Sequence, residues 1–169
     1  MKHWDYAIDV GAFVGIYTRH LAKRFKCVIA IEPNLTTFEF LCLNTIDEEG
    51  VTRVHAAASD TERDAVRIQR KAWPSCRVSE KDETGWQAVP STTLNRLDIR
   101  PGLIKIDVEG YEYRVLRGAD ALLKHRPVVV IEEGPYHKRY GDPNPIEYLK
   151  GLGMEIVARH KPDVVMAWK

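Results

Sequence analysis

The sequence predicts an α/β fold, a doubly wound, mostly parallel sheet with a C-terminal antiparallel hairpin strand, in a single domain over residues 1–169. Three observations carry that expectation. Continuous apolar runs such as Pro127-Val-Val-Val-Ile-Glu-Glu133 read as strands buried on both faces. Stretches of helical period separate these runs, so successive strands need crossovers and lie parallel. The last two runs, Met154–Arg159 and Val164–Trp168, are joined through Lys161-Pro162-Asp163, which suits a hairpin and leaves no room for a helix.

In chain order, Ala7–Val10 is a buried strand that breaks into Gly11-Ala-Phe-Val-Gly15 and opens a helix running to Lys26. Ile16, Leu21, Ala22 and Phe25 are its apolar face; Arg19, His20, Lys23, Arg24 and Lys26 form a solvated basic face that favours the helix C-terminus. Cys27–Glu32 is the second strand. Asn34 or Thr36 caps the next helix, where Phe38, Leu41, Cys42 and Ile46 recur at helical spacing until Asp47-Glu-Glu-Gly50 ends it. Val51–Ala58 is a third strand. From Thr61 to Ser91 the pattern weakens. Ala65-Val-Arg-Ile-Gln alternates as a half-exposed antiparallel strand does, Arg77-Val-Ser79 is its expected partner, and Pro74, Gly85 and Pro90 punctuate the rest. Residues 61–91 therefore read as an inserted hairpin and mobile loop. Leu103–Ile106 begins a fourth strand with Asp107 at its carboxyl end. A helix over Tyr111–Lys124, the Pro127–Glu133 strand and a short helix over Ile146–Gly151 follow.

Lys and Arg number 25 against 24 Asp and Glu, a net charge of +1, so no global field draws the chain to nucleic acid or an anionic membrane. Three cysteines at unrelated spacings make neither a disulfide framework nor a zinc pattern; Cys27 and Cys42 are expected to be buried, and Cys76 exposed. Met1-Lys-His-Trp-Asp lacks the apolar core of a signal peptide, and no run approaches the roughly 18 apolar residues of a membrane span. A cytoplasmic protein with no membrane partner is expected.

The strand, glycine turn and helix at Ala7–Gly15 present free N–H groups and let a ligand press against the backbone. Glu32 ends the second strand about 23 residues after Asp9, where an acid accepts both hydroxyls of a ribose. A dinucleotide turn asks for G-x-G-x-x-G, whose middle glycine admits the pyrophosphate; here Phe13 stands in that place. The turn instead suits S-adenosyl-L-methionine, in which a sulfonium, an amino group and a carboxylate replace the pyrophosphate. Asp9 ends the first strand in position for that ammonium or a water beside it.

Asp9-Val-Gly-Ala-Phe-Val-Gly15, Glu32-Pro-Asn34, Ala56-Ala-Ala-Ser-Asp60 and Ile104-Lys-Ile-Asp-Val-Glu-Gly110 together resemble the FkbM-type family. These are class I S-adenosylmethionine-dependent methyltransferases with a Rossmann-like sheet, often acting on hydroxyl oxygens of sugars and natural products. The resemblance runs from Ile8 to about Glu133, and its specificity lies in the conjunction of the motifs. It implies that Asp9, Gly11, Ala12, Phe13 and Gly15 surround the methionine part, and that Glu32 holds the ribose with Pro33 and Asn34 beside it. It also implies Ala57, Ala58 and Ser59 near the adenine and Asp107 near the methyl-bearing sulfur. S-adenosyl-L-homocysteine would be the product. Tyr17, Tyr111 and Tyr136 are further candidates for the pocket wall, with helix packing as their alternative. Such enzymes usually carry helices before the first strand. With about seven residues ahead of it here, the acceptor pocket is expected to be shallow, or completed by the 61–91 insertion or by a partner chain.

Methyl transfer is an in-line displacement with dispersed positive charge, so the site must align the atoms and remove the nucleophile's proton. Asp107, Glu109, Glu132, Glu133 and His137 all fall at the carboxyl edge of the sheet, where open α/β sheets bind ligands. Asp107 is assigned to orient the cofactor, with Glu109 or His137 nearer the acceptor; Glu132 and Glu133 point to opposite sides. Two structural alternatives stand beside these roles: Glu109 accepting N–H bonds at the start of the following helix, and His137 as a solvated loop histidine. An oxygen-rich magnesium site of Asp107, Glu132 and His137 is the lesser alternative, since no ligand spacing supports it, and no metal is expected. A small-molecule or glycan acceptor is expected. The second reading is a nucleic-acid methyltransferase using His20–Lys26 and His137–Arg139 against phosphates, and the third is a non-catalytic S-adenosylmethionine-binding domain.

Overall fold

β1 (Tyr6–Val10), α1 (Ile16–Ala22), β2 (Cys27–Ile31), α2 (Leu35–Asn44) and β3 (Val51–Val54) open the chain in a computed structural model that describes residues 5–69, 78–79 and 86–169. β4 (Ala57–Ala58), β5 (Arg63–Gln69), β6 (Val78–Ser79) and β7 (Trp86–Thr92) follow. β8 (Pro101–Ile106), α3 (Glu112–Arg117), α4 (Asp120–Leu123), β9 (Val128–Glu132), α5 (Pro145–Gly151), β10 (Met154–His160) and β11 (Asp163–Trp168) complete it.

Seven strands make the main sheet, in the order β10-β11-β9-β8-β1-β2-β3. β3, β2, β1, β8 and β9 run parallel, while β11 is antiparallel to both its neighbours. The expected doubly wound sheet is therefore present. The hairpin does more than extend its edge, because β11 inserts between β9 and β10. Ile8, Val10, Ile104, Ile106, Val129 and Ile131 pack on α3, α4 and α5 from one face, and Ala7, Val28 and Ala30 on α1 and α2 from the other. Chain order reverses at β1, with β2 and β3 on one side and β8 and β9 on the other. Such a reversal opens a crevice at the carboxyl ends of the strands.

Several expectations are corrected in detail. Residues 51–58 do not form one strand: the chain turns at His55 and Ala56, and β4 joins a second sheet of order β4-β7-β5-β6. Within that sheet Ile68 pairs with Val78, as the alternation suggested, but β7 was not singled out as a strand. Pro90 lies opposite the register irregularity between Arg63 and Val66, an interruption of the ladder that tolerates its missing N–H. Arg77, Cys76 and most of the expected loop lie outside the described residues. Cys27 and Cys42 are only half-buried.

The single helix expected over Tyr111–Lys124 is two. Asn95 N donates to the carbonyl of Gly118 (2.8 Å), and a Cβ on Gly118 would stand 2.0 Å from Ser59 O, so backbone-to-backbone contact breaks the helix there. On α1, Ile16 is 62% exposed, and Thr18 is buried in its stead because it bonds to Asp9.

Candidate active site

The turn after β1 is fixed by what it touches. Gly11 (φ +76°) and Ala12 both donate their N–H to Ile31 O on β2, at 2.9 and 3.1 Å. A Cβ on Gly11 would lie 1.8 Å from Asp107 O, so only glycine lets β1's turn cross the end of β8. Phe13 takes the left-handed conformation as well (φ +53°), and its N–H donates to Glu32 Oε2 at 2.9 Å.

Glu32 is 4% exposed, and its Oε1 accepts from Asn34 N (2.9 Å) and Thr37 Oγ1 (2.8 Å). Burial raises its pKa against the opposing pull of those bonds. Oε2 takes only one of the three, which leaves it acceptor capacity for a diol. Asn34 caps α2 by accepting from Thr36 N and Thr37 N, so the same loop that anchors Glu32 starts the helix.

These residues border a cavity of ≈ 220 Å³. Ala57, Ala58 and Ile68 of the second sheet wall its apolar end, and Asp107, Val108, Glu109 and Tyr111 wall the other. Of the residues named from sequence, Gly11, Phe13, Glu32, Pro33, Asn34, Ala57, Ala58, Asp107, Glu109 and Tyr111 converge on this wall. Glu109 is strained too (φ +58°), so two of the four non-glycine residues at positive φ among the described residues border the cavity. Such strain is held where surrounding structure over-determines it, often at functional sites.

The other named residues lie off the wall. Asp9 is wholly buried and off the wall: Thr18 Oγ1 donates to its Oδ2 at 2.7 Å, and Lys105 Nζ lies 3.4 Å from its Oδ1. That contact is an ion pair whose geometry falls short of a hydrogen bond, leaving Oδ1 without a donor. Lys105, 4% exposed, also reaches Asp107 Oδ2 (3.5 Å) and sits 4.7 Å from the centre of the Tyr17 ring. Burial alone would lower its pKa; the two aspartates outweigh that and raise it. Tyr17 donates its hydroxyl to Asp163 Oδ2 at 3.0 Å and is not on the wall.

Ala12 packs into the α1–α2 core. Gly15 lets α1 approach α2, where a Cβ would meet Leu41 Cδ1 at 2.9 Å. Ser59 is buried against Gly118, with its N–H on Thr92 O. His137, expected either near the acceptor or solvated, is neither on the wall nor exposed: its Nδ1 lies 3.2 Å from Gly134 O within a 3-10 turn over Pro135–Tyr140. The helix-start role considered for Glu109 belongs to Glu112, whose buried Oε1 accepts from Gly110 N (2.9 Å) and Val108 N (3.3 Å).

Thr37, Ile68 and Val108 on the wall, and Lys105 behind it, were missed from sequence. Lys105 alone left a signal, a charge within the apolar run Leu103–Ile106.

At the end of β9, Glu132 is half-buried, and its Oε2 is fully enclosed with no hydrogen-bond partner. Burial, with the Asp107, Glu109, Glu112 and Asp163 carboxylates nearby, raises its pKa from 4.5 to about 7. Glu133, on the opposite side, pairs with Arg159. Among the described residues, no group of three or more His, Cys, Asp or Glu side chains is arranged to hold a metal ion, and no helix is long and apolar enough to cross a membrane.

A switch-point crevice with a close-approach glycine and an acid ending the second strand defines a nucleoside site of the class I methyltransferase kind. The chain belongs to the FkbM family of S-adenosylmethionine-dependent methyltransferases: the Methyltransferase FkbM domain matches residues 9–165. It superposes on a methyltransferase FkbM of Methylobacillus flagellatus with a TM-score of 0.67 and 18% identity, covering 98% of this chain and 43% of that one. The chain thus spans less than half the length of that relative. Precorrin-6y C5,15-methyltransferase of Geobacter metallireducens gives 0.61 at 15% identity, covering 97% and 80%. The N-methyltransferase NodS of Bradyrhizobium japonicum, in complex with S-adenosyl-L-homocysteine, gives 0.52 at 12%, covering 96% and 76%. At these identities the likeness is one of fold. A comparison with curated proteins finds no match.

Proposed function

We propose that this domain transfers the methyl group of S-adenosyl-L-methionine to a hydroxyl oxygen of a sugar or other small molecule. The observation that carries the reading is the lining of the crevice: Glu32 with the apolar Ala57, Ala58 and Ile68, together with the acids Asp107 and Glu109. The cofactor supplies an electrophilic methyl group when bound. Glu32 would accept from the ribose hydroxyls, Ala57, Ala58 and Ile68 would enclose the base, and the Gly11 turn, packed on the end of β8, would border the methionine part. Asp107, held by Lys105, orients the reacting end, and Glu109 flanks it. An acidic edge repels phosphate and suits a neutral polyol, which disfavours a nucleic-acid acceptor.

A screen with methyl-labelled S-adenosylmethionine against sugars, polyols, phenols and amines tests the reading. Label transferred to a hydroxyl acceptor, and lost in Asp107→Ala with the fold retained, is the expected result. Label appearing only on amines or on RNA overturns it.

A further inference from the structure

Thr37 lines the cavity beside Glu32 while only 7% exposed. It stands in the first turn of α2, where a threonine hydroxyl has two local uses: capping the helix, or bonding back to a carbonyl of the preceding turn. The first is taken, since Asn34 caps α2 and the Thr37 N–H is one of the groups it caps. The second is within range, with Asn34 O 3.1 Å from Thr37 Oγ1. That carbonyl already accepts from Phe38 N at 2.8 Å. Glu32 Oε1 is nearer to the hydroxyl, at 2.8 Å, and a hydroxyl has one proton to donate. A bond to a carboxylate is also the stronger of the two, so the proton goes to Glu32.

The other two donors to Glu32 are backbone groups. Phe13 N–H on Oε2 and Asn34 N–H on Oε1 are placed by the turn after β1 and the loop before α2. Thr37 is the one side chain of the three. Its bond gives Oε1 two donors against one for Oε2, so acceptor capacity stays with Oε2. Without the hydroxyl the two oxygens would hold one donor each, and only amides would fix the carboxylate. Burial disfavours the charged form of Glu32, and the Asn34 amide, the Thr37 hydroxyl and the Phe13 amide oppose it. That charge matters, because a carboxylate accepts from both hydroxyls of a diol, whereas a neutral acid spends one oxygen as a donor.

We infer that Thr37 is a positioning residue of the nucleoside site: it holds Glu32 with Oε2 left to accept from the ribose, and so sets the preference for a ribose over a sugar without hydroxyls. The inference rests on the proposed contact between Glu32 and the ribose. Packing alone would serve any nucleoside that fills the cavity. A role exercised through Glu32 depends on the sugar hydroxyls being present, and that coupling is measurable.

The test needs no methyl acceptor. Calorimetry compares S-adenosylhomocysteine with its 2′,3′-dideoxy analogue, the weaker ligand being read by displacement. Thr37→Val removes the donor and keeps the branched shape. It should weaken S-adenosylhomocysteine roughly tenfold, as losing a hydrogen bond to a charged group does. The dideoxy analogue should change by no more than about twofold, so the ribose preference itself falls. Thr37→Ser restores the hydroxyl and should recover most of the lost affinity. Melting of each variant without ligand separates folding from binding, and Thr37→Ala supplies the same comparison if Thr37→Val does not fold.

Equal losses for the two nucleosides in Thr37→Val would mean that the side chain acts on the fold alone, and would overturn the assignment. Unchanged S-adenosylhomocysteine affinity overturns it too, as does a Thr37→Ser variant no better than Thr37→Val. A wild-type domain that binds the two nucleosides alike would instead remove the ribose contact of Glu32, and this inference falls with it. Binding of neither would remove the nucleoside site as a whole.

Discussion

Glu32 and Lys105 show how a single side chain ties the crevice to the fold. Glu32 accepts three hydrogen bonds that hold the Phe13 turn and the start of α2, so its position is set by the fold, as the proposed ribose contact requires. Glu32→Ala should weaken S-adenosylhomocysteine by roughly 1–3 kcal/mol, as loss of hydrogen bonds to a charged group does, and should lower the melting temperature as well. Unchanged calorimetric affinity would refute the ribose assignment. Lys105 compensates Asp9, which has no exposure at all. Lys105→Met should cost about 3–5 kcal/mol in urea unfolding because it strands a buried carboxylate. Adding Asp9→Asn should recover much of that loss; a double variant no more stable than the single would mean the pair is not coupled.

At the scale of elements, the site exists because four strand ends meet at one reversal of chain order. β1 contributes a turn and β2 the acid at its end; β8 contributes a loop capped from within by Glu112, and β9 an enclosed carboxyl. The closest contact among them is Gly11 over Asp107. Gly11→Ala places a methyl 1.8 Å from a carbonyl oxygen and forces a side chain onto φ +76°, so it should abolish S-adenosylhomocysteine binding. Near-wild-type binding in calorimetry, with circular dichroism unchanged, would mean that the turn and β8 part more easily than this packing allows. The periodicity made these strands legible, because burial on both faces is a local property of each segment. The split of 51–58 between two sheets was not legible, since both halves have the same apolar composition and only their partners differ.

For the whole molecule, the charges nearly cancel overall yet are unevenly placed, with acids gathered along the crevice edge and the exposed Arg19 and His20 on α1. RNA binding, if measured by anisotropy, should be weak, with a small slope of log affinity against log salt; a slope near that of several phosphate contacts would reinstate a nucleic-acid acceptor. The FkbM match spans residues 9–165, so the family signature and the doubly wound sheet are one and the same stretch of chain.

The sequence by itself determined the parallel strands of the main sheet and its closing hairpin, the glycine turn, the acid at the end of β2 and the cap near Asn34, because periodicity, backbone freedom and capping act within a few residues. Only the tertiary structure decided which acids face the cavity. Asp9 and His137 turned inward because buried polar groups must find partners, and Thr18, Lys105 and the Gly134 carbonyl supply them. Glu112 rather than Glu109 took the amides, and Glu132 was left enclosed among like charges, for a physical reason no local pattern carries: burial and charge pairing are settled between strands that lie dozens of residues apart.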